Sequence, residues 1–361
     1  MRLGKTALYH FVSQIIISIT GFAATFAIVN LLGTDGLGLY SVAVGLGFYW
    51  LVIPANGVAK AIKKRMSEGE EPESYYGAGI VLNGTVAVAM GTFVLASGWV
   101  LGRIPTPDVV FAQVLVEYNI EVATLVVGAT ALRTTLAGLE GGKQVARSGG
   151  MLALERISRS TVQILLVAGG FGVTALTIGH AATLLFVAVV ALAVALIRPA
   201  KPRRQHVRSL IDYARYSWMG ALRGRVYGWM DTIVLSLFLG SAALIGIYEV
   251  AWGIGSLLAT ASTSISSTLF PEVSEISSDG DYEQVRHYLD EALAYAGVIV
   301  IPGFFGALVI GRQVLQFVRP EIAQGQTVLV ILVLAYVADV YATQLLNVIN
   351  GIDRPDVAFR I

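Results

Sequence analysis

The chain has 361 residues, of which 55% are apolar and 14% are charged, and its mean hydropathy is +0.71. An average soluble domain carries about 25% charged residues, so this composition excludes a water-soluble globular protein and indicates a membrane protein. The net charge of +1 excludes the strong positive field of a nucleic-acid-binding protein. The sequence contains no cysteine, which excludes disulfides, thiolate metal sites and cysteine nucleophiles.

Ten segments are long and apolar enough to form membrane-spanning helices, each of which needs about 20 residues. The first has no charged residue from Thr6 to Thr34, so it is longer than the ~7–15 apolar residues of a signal peptide. The run from Ser160 to Ile197 is also uncharged, and Gly169 and Gly170 divide it into two spans. The sequence therefore predicts an all-α polytopic membrane protein. Its predicted helices are 8–31, 37–59, 77–102, 110–137, 150–171, 174–197, 213–239, 243–269, 287–310 and 325–349.

The connections between these helices alternate in charge. Both ends of the chain and the even-numbered connections together carry 16 Lys and Arg residues, whereas the odd-numbered connections carry 3. Loops rich in Lys and Arg stay in the cytoplasm. This pattern predicts a multi-pass protein of the cell membrane with both ends of this chain in the cytoplasm.

A ten-residue pattern occurs twice. The segment Gly38–Gly47 matches Gly246–Gly255 at six of ten positions, at an offset of 208 residues. Helices one to four therefore map onto helices seven to ten, with the same direction across the membrane, as in a parallel repeat.

The repeat also predicts how the chain is divided. Helices five and six have no counterpart after helix ten, so we expect the second lobe to be incomplete and the chain to be partial. The predicted divisions are an N-terminal six-helix lobe at 1–198, a basic cytoplasmic linker at 199–212 and a four-helix C-terminal lobe at 213–361.

Several motifs carry a resemblance to a known family. They are a Leu-Gly-x4-Gly-Leu-Tyr pattern at 32–40, Asp231–Leu235, Leu239–Gly240, Gly246–Tyr248 and Leu269–Pro271. In this order they resemble the polysaccharide biosynthesis proteins of the O-antigen flippase type. That family is grouped with multidrug and toxic compound extrusion exporters and with lipid II flippases. The resemblance implies 12 to 14 helices in two lobes around a central cavity, whereas this chain has ten predicted helices.

The resemblance also implies a function. Such proteins move a polyprenyl- or dolichyl-linked oligosaccharide across the cytoplasmic membrane by alternating access, for surface polysaccharide or glycoprotein assembly. The expected partners are the lipid-linked oligosaccharide, membrane lipid, and glycosyltransferases or a polymerase of the same pathway, with no nucleic acid.

Arg223 and Arg225 lie mid-way along predicted helix seven, where a charge costs at least ~2.5–3.5 kcal/mol. The arginine fork binds phosphate oxygens in pairs, so we interpret them as ligands of the substrate's anionic headgroup. The alternative is ion pairing with Asp231, Glu249 or Asp339. The two arginines are two positions apart and point in different directions, so one of them is expected to be structural.

Four further arginines, Arg133, Arg156, Arg159 and Arg215, lie near predicted cytoplasmic helix ends. Arg156 and Arg159 are three positions apart and are expected to share a helix face. We interpret the four as a funnel for the incoming phosphate. The alternative is that their long side chains reach the cytoplasmic interface as ordinary membrane anchors.

Acidic residues are the candidates for ion coupling. Glu117 and Glu121 are four positions apart towards the outer end of predicted helix four. They bind a driving cation or proton in one interpretation and are simply solvated in the other. Asp339 lies deeper and is the better coupling candidate, while Asp231 and Glu249 are candidates for coupling or for pairing with arginine.

Pro54 and Pro302 fall inside predicted helices two and nine. Proline removes a helical hydrogen bond and can kink the helix. We interpret both as hinges for alternating access, with a static kink as the alternative.

No enzyme signature is present. The four histidines have no metal-ligand spacing, no phosphate-binding loop of the Walker type occurs, and no polar segment is long enough for a nucleotide-sugar domain. We therefore predict a non-enzyme without metal or cofactor. Two alternatives to a flippase stay open: a cation-coupled multidrug exporter, whose cavity should be acidic, and a non-transporting scaffold of a glycan-assembly complex.

Overall fold

The computed structural model describes the backbone of residues 2–105, 107–266 and 282–352. Side chains are described within these ranges except at residues 2–19, 218–227, 260–266, 282, 347, 350 and 351. Every regular element in the described part is helical, which confirms the all-α prediction. A π-helical turn lies at Gly45–Trp50 and a 3₁₀ turn at Pro320–Gly325. The helices are α1 (Arg2–Val44), α2 (Ile53–Ser67), α3 (Pro72–Leu101), α4 (Val110–Glu117), α5 (Asn119–Gly141), α6 (Val145–Ala168), α7 (Val173–Val194), α8 (Arg204–Phe238), α9 (Ala242–Ser266), α10 (Tyr282–Val318) and α11 (Gln326–Gly351).

Seven segments of the described chain are long and apolar enough to cross a membrane. They are Thr20–Trp50, Pro72–Leu101, Asn119–Gly141, Val173–Val194, Ala242–Ala259, Glu283–Val318 and Pro320–Leu346. Large apolar side chains such as Val88 and Val189 are 68% and 67% exposed, as expected of surfaces that face lipid. The protein is therefore a multi-pass helical membrane protein. Two of the ten predicted spans fall within one segment of α1, and the fifth does not qualify because α6 carries several charges. The middle of the seventh, in α8, lies outside the described side chains.

The break between the first two predicted helices is a kink inside α1. Gly33 has φ of 79° and ψ of 175°, which are not helical values. Only glycine adopts a positive φ without steric strain, so Gly33 allows two helical segments to meet there without a longer loop.

Predicted helix two, 37–59, is not continuous. The helical backbone changes to the π-helical turn at Gly45–Trp50, and α2 begins at Ile53. Pro54 therefore lies in the first turn of α2, where its missing N–H removes no helical bond. The prediction of one continuous helix through Pro54 is wrong, because a proline ring inside a helix clashes with the carbonyl four residues earlier. The role of Pro54 as a hinge stays a prediction. Pro302 does lie inside a helix, α10, and its role as a hinge stays a prediction.

Predicted helix four, 110–137, is also divided. Tyr118 has φ of −121° and ψ of 26°, which ends α4 and precedes α5. Glu117 and Glu121 therefore belong to different helices. The expectation that they share a continuous helix is wrong.

The chain divides into two compact units, one formed by Ala27–Gly246 and the other by Met1–Phe26 with Ile247–Ile361. In the first unit α5 is central and packs against α2, α3 and α7. A Cβ atom added to Gly128 of α5 would lie 2.9 Å from the Ala181 carbonyl oxygen of α7, so this glycine permits close packing of the two helices. In the second unit α10 packs against α11. The predicted divisions at 198 and 212 stay predictions.

The repeated pattern forms a reciprocal contact between α1 and α9. A Cβ atom on Gly38 would clash with the Ala242 carbonyl, 2.8 Å from its carbon, and one on Gly246 would clash with the Thr34 carbonyl, also 2.8 Å from its carbon. Ala242 and Gly246 are the counterparts of Thr34 and Gly38 at the offset of 208 residues. Contacts in which each element repeats the role of the other are typical of two-fold symmetry. The contact supports the predicted repeat.

Candidate functional site

A group of five polar side chains lies inside the unit formed by Ala27–Gly246. We call Tyr40 of α1, Glu155, Arg159 and Gln163 of α6, and His180 of α7 the His180 cluster. Gln163 and His180 are 1% and 2% exposed, and Glu155 is 6% exposed. Buried polar groups in a membrane protein are costly unless they are paired, and they often mark functional sites.

The Tyr40 hydroxyl joins two of these side chains. Gln163 donates its amide N–H to Tyr40 Oη, which lies 2.9 Å from His180 Nδ1. The Tyr40 hydroxyl can satisfy this arrangement by accepting from Gln163 and donating to Nδ1, which places the ring proton of a neutral imidazole on Nε2. His180 Nε2 has no hydrogen-bond partner among the described residues and lies 3.8 Å from Glu155 Oε1.

Glu155 also holds Arg159. Arg159 Nε donates to Glu155 Oε1 at 2.7 Å, across one helical turn of α6. The Glu155 side chain is 8% exposed, whereas that of Arg159 is 27% exposed. The carboxylate thus fixes one edge of the guanidinium, and the two terminal nitrogens remain suited to an anionic ligand.

A second arginine is held next to this cluster. Arg133 of α5 donates to Asn56 Oδ1 and, at 2.9 Å, to the carbonyl oxygen of Phe48. Its guanidinium also lies 5.0 Å from the centre of the Phe48 ring, a cation–π contact. The same ring lies 5.4 Å from the His180 ring. Phe48 therefore connects Arg133 with the His180 cluster.

The π-helical turn provides this connection. It positions Phe48, Tyr49 and Trp50 in succession. Tyr49 stacks on Trp229 with ring centres 3.9 Å apart, and Trp50 Nε1 donates to the Trp229 carbonyl at 3.1 Å. Such turns are rare and occur often at functional sites. Here three aromatic side chains and Arg133 meet in one region.

The other predicted arginines are elsewhere or outside the described side chains. Arg156 is exposed, although it is only three residues before Arg159. Arg215 is exposed on α8, 3.9 Å from Asp212 and over the ring of Tyr216. The side chains of Arg223 and Arg225 lie outside the described residues, so their interpretation as headgroup ligands stays a prediction.

The two outer glutamates differ in environment. Glu121 is 7% exposed and accepts a hydrogen bond of 2.8 Å from Thr174 Oγ1 of α7. Glu117 is exposed and accepts from Gln113 at 3.2 Å. Of the two, Glu121 has the environment expected of a functional carboxylate, and its role in coupling stays a prediction.

The remaining acidic candidates are not gathered into one site by the described contacts. Asp231 is half-buried, and its Oδ1 accepts the backbone N–H of Thr232 at 2.9 Å. Glu249 is half-buried and Asp339 is exposed. In the described part of the chain no three His, Asp or Glu side chains are placed to hold a metal ion.

Sequence reasoning identified Arg133 and Arg159 but missed Tyr40, Glu155, Gln163 and His180. Two signals were present. Glu155 precedes Arg159 by one helical turn, and His180 lies in the otherwise uncharged run 160–197. The pairing of Tyr40 with His180 spans 140 positions and has no local signal.

Comparison with known proteins places the chain in a family. A family described as polysaccharide biosynthesis protein matches residues 151–319. The probable flippase AglR of Haloferax volcanii is 31% identical over all of this chain and 74% of its own length. The chain belongs to the polysaccharide biosynthesis protein family. A second protein of Haloferax volcanii, the probable low-salt glycan biosynthesis flippase Agl15, is 26% identical over 92% of this chain and 68% of its own length.

Solved structures show the same fold at low sequence identity. The lipid II flippase MurJ in an inward closed conformation aligns with a TM-score of 0.69 and 15% identity, over 96% of this chain and 77% of that one. An inward-facing multidrug resistance MATE transporter of the MOP superfamily aligns with a TM-score of 0.61 and 14% identity, over 96% of this chain and 82% of that one. This chain therefore has the same fold as these helical transporters.

Proposed function

We propose that this protein is a flippase that moves a lipid-linked oligosaccharide across the cell membrane by alternating access, for glycan assembly. Two relatives named as flippases support this, one of them in low-salt glycan biosynthesis. The carrier lipid is a polyprenyl or dolichyl phosphate, and both ends of this chain are cytoplasmic. Glycosyltransferases or a polymerase of the same pathway are its expected protein partners.

The observation that carries the proposal is the placement of Arg133 and Arg159 around one polar region. Arg133 contacts Phe48, Phe48 contacts His180, and His180 lies beside Glu155, the partner of Arg159. Each guanidinium is oriented before any ligand arrives. Oriented arginines suit the tetrahedral oxygens of a phosphate, which they can bind in pairs.

The aromatic side chains beside the arginines suit the sugar. Tyr49 and Trp229 stack on each other at 3.9 Å, and rings of this kind present an apolar face together with a polar edge. A headgroup whose phosphate is at the arginines would bring its first sugar close to these rings. Arg156, Arg215, Arg223 and Arg225 remain predicted further contacts of the anionic headgroup.

The experiment measures transbilayer movement. Purified protein in proteoliposomes is given a fluorescent polyprenyl-pyrophosphate oligosaccharide, and its movement is compared with that in Arg159→Gln and Arg133→Gln. Hydrogen bonds to charged groups contribute ~1.5–3 kcal/mol, so each variant is expected to slow movement at least ~10-fold. Arg312→Gln, a change at an exposed arginine of α10, is the control and should move substrate at the parental rate.

The possible outcomes test the proposed function and the proposed site separately. Parental movement in both arginine variants would reject the site and keep the function. Absence of movement in the parent protein, beside an active control flippase, would reject the function.

A multidrug exporter is the second candidate. The MATE transporter of the same fold and the buried carboxylates of Glu121 and Glu155 favour it, since a cationic drug needs an acidic site. Against it, Glu155 is already paired with Arg159. Transport of a fluorescent organic cation, with none of the lipid-linked oligosaccharide, would favour the exporter.

A further inference from the structure

An apolar groove lies on the unit formed by Ala27–Gly246, between α2, α3 and α8. Its volume is about 480 Å³, within the range of ~300–1,000 Å³ that small-molecule sites occupy. Val58 of α2, Leu82 and Val86 of α3, and Ile211 of α8 line it, and Arg215 is its charged lining residue. We call this the α2–α3–α8 groove.

The side chains that line the groove determine which kind of ligand can bind there. The side chains that line the groove are aliphatic apart from Arg215, and none of them is aromatic. A sugar or a polar drug would lose its hydrogen bonds to water there without replacing them. A branched hydrocarbon chain would lose nothing, and the methyl groups of Val58, Val86 and Ile211 offer it a close-packed surface.

Arg215 gives the groove a polar end. It follows Ile211 by one turn of α8, so both side chains lie on the same side of that helix. Its side chain is 59% exposed and lies over the Tyr216 ring at 4.7 Å. The contact with Asp212 is 3.9 Å long, which is too long for a strong hydrogen bond, so the guanidinium retains donors for an anion.

We propose that the α2–α3–α8 groove binds the phosphate-proximal part of the isoprenoid chain of the lipid-linked substrate, with the phosphate of that lipid at Arg215 before the headgroup moves. This rests on the proposed function, because it assigns a place to the hydrophobic part of the same substrate. One branched chain that ends in a phosphate matches one aliphatic groove that ends in one cation. An ordinary two-chain phospholipid would leave its second chain outside the groove.

The groove explains how the hydrophobic chain is retained while the headgroup moves. A hydrocarbon chain gains little by leaving lipid for an apolar groove, so selection depends on shape and on the phosphate. Arg215 holds the phosphate before the headgroup moves, and Arg133 and Arg159 hold it afterwards in the separate headgroup region. Loss of the groove should therefore weaken lipid binding without altering the His180 cluster.

The test is photo-crosslinking of the intact protein in nanodiscs. The probe is dolichyl phosphate with a photoactivatable group in its isoprenoid chain, and labelled peptides are identified by mass spectrometry. We expect label on the peptides that contain residues 53–58, 82–86 and 211–215. Label that is confined to other peptides overturns the proposal, and this readout needs no variant to fold.

Three variants sharpen the test. Val86→Trp fills the groove and should reduce labelling at least tenfold. Val88→Trp adds the same side chain at a position of α3 that is 68% exposed, and should leave labelling unchanged. Arg215→Gln should reduce labelling by dolichyl phosphate but not by an otherwise identical dolichol. Equal loss of labelling in the two tryptophan variants, or no effect of Arg215→Gln, overturns the proposal.

Competition distinguishes the two kinds of lipid. An excess of unlabelled dolichyl phosphate should abolish labelling, whereas the same excess of phosphatidylglycerol should not. Displacement by both lipids alike makes the groove an ordinary lipid contact and overturns the proposal. Oligosaccharide movement in proteoliposomes is measured separately, so normal movement without groove labelling rejects the groove alone, and labelling without movement rejects the flippase.

Discussion

The Tyr40 hydroxyl is shared by two buried side chains of other helices, Gln163 and His180. We expect Tyr40→Phe to destabilise the protein by about 2 kcal/mol, because it leaves a buried amide and a buried ring nitrogen without a partner. Thermal unfolding in detergent measures the change. Tyr295→Phe, at a tyrosine that is 52% exposed, should leave the unfolding midpoint unchanged. Equal midpoints for Tyr40→Phe and the parent would contradict the shared hydroxyl.

For single residues, the sequence could predict which charged side chains are energetically unfavourable in a membrane helix, but not what those side chains contact. Arg133 and Arg159 stand out because charges in membrane helices are rare. The pairing of Glu155 with Arg159 follows from helical spacing alone. The contacts of Tyr40 with His180 and of Phe48 with Arg133 join positions 140 and 85 residues apart, and helical spacing gives no information about such distances.

Helices α1 and α9 contact each other closely where they cross. Adding a methyl group at Gly38 or Gly246 would force it into a backbone carbonyl, and backbone cannot move aside as a flexible side chain can. We expect Gly38→Ala and Gly246→Ala each to destabilise the protein by ~1–3 kcal/mol, and by similar amounts because the contact is reciprocal.

The control for this crossing is Gly84→Ala in α3, where an added Cβ atom would have nothing within 4 Å. Alanine is a better helix former than glycine by ~1 kcal/mol, so this variant should be as stable as the parent or more stable. Thermal unfolding of the three variants under one set of conditions measures all of them. A strong effect at Gly38 with none at Gly246 would argue against the repeat.

Helices were predictable as elements, and their breaks were only partly predictable. The kink at Gly33 and the start of α2 near Pro54 follow from the backbone properties of glycine and proline, although Pro54 was placed inside a helix. No glycine or proline lies next to the break at Tyr118, so the local sequence does not predict it. It occurs where α4 ends and α5 begins its packing against α3 and α7, a contact that local sequence does not encode.

For the whole molecule, hydropathy, charge bias and the repeat were enough to predict a polytopic helical membrane protein, and the resemblance of its motifs to a known family implied a transporter. These properties are distributed along the chain, so they survive errors in single helix boundaries. The headgroup site depends instead on the contacts of a few side chains. This difference explains why the family was recognisable from sequence, whereas four of the five residues of the His180 cluster were not.

The orientation in the membrane is the last prediction. The chain contains no cysteine, so a single introduced cysteine reports its own position without background. Glu70→Cys lies in the exposed connection between α2 and α3, and Pro107→Cys lies in the exposed connection between α3 and α4. Because the first connection follows the basic residues Lys63, Lys64 and Arg65, the preference of basic loops for the cytoplasm places it inside. A membrane-impermeant maleimide added to intact cells should label Pro107→Cys at once and Glu70→Cys only after permeabilisation. The reverse pattern would invert the predicted orientation, and labelling of both in intact cells would mean that α3 does not cross the membrane.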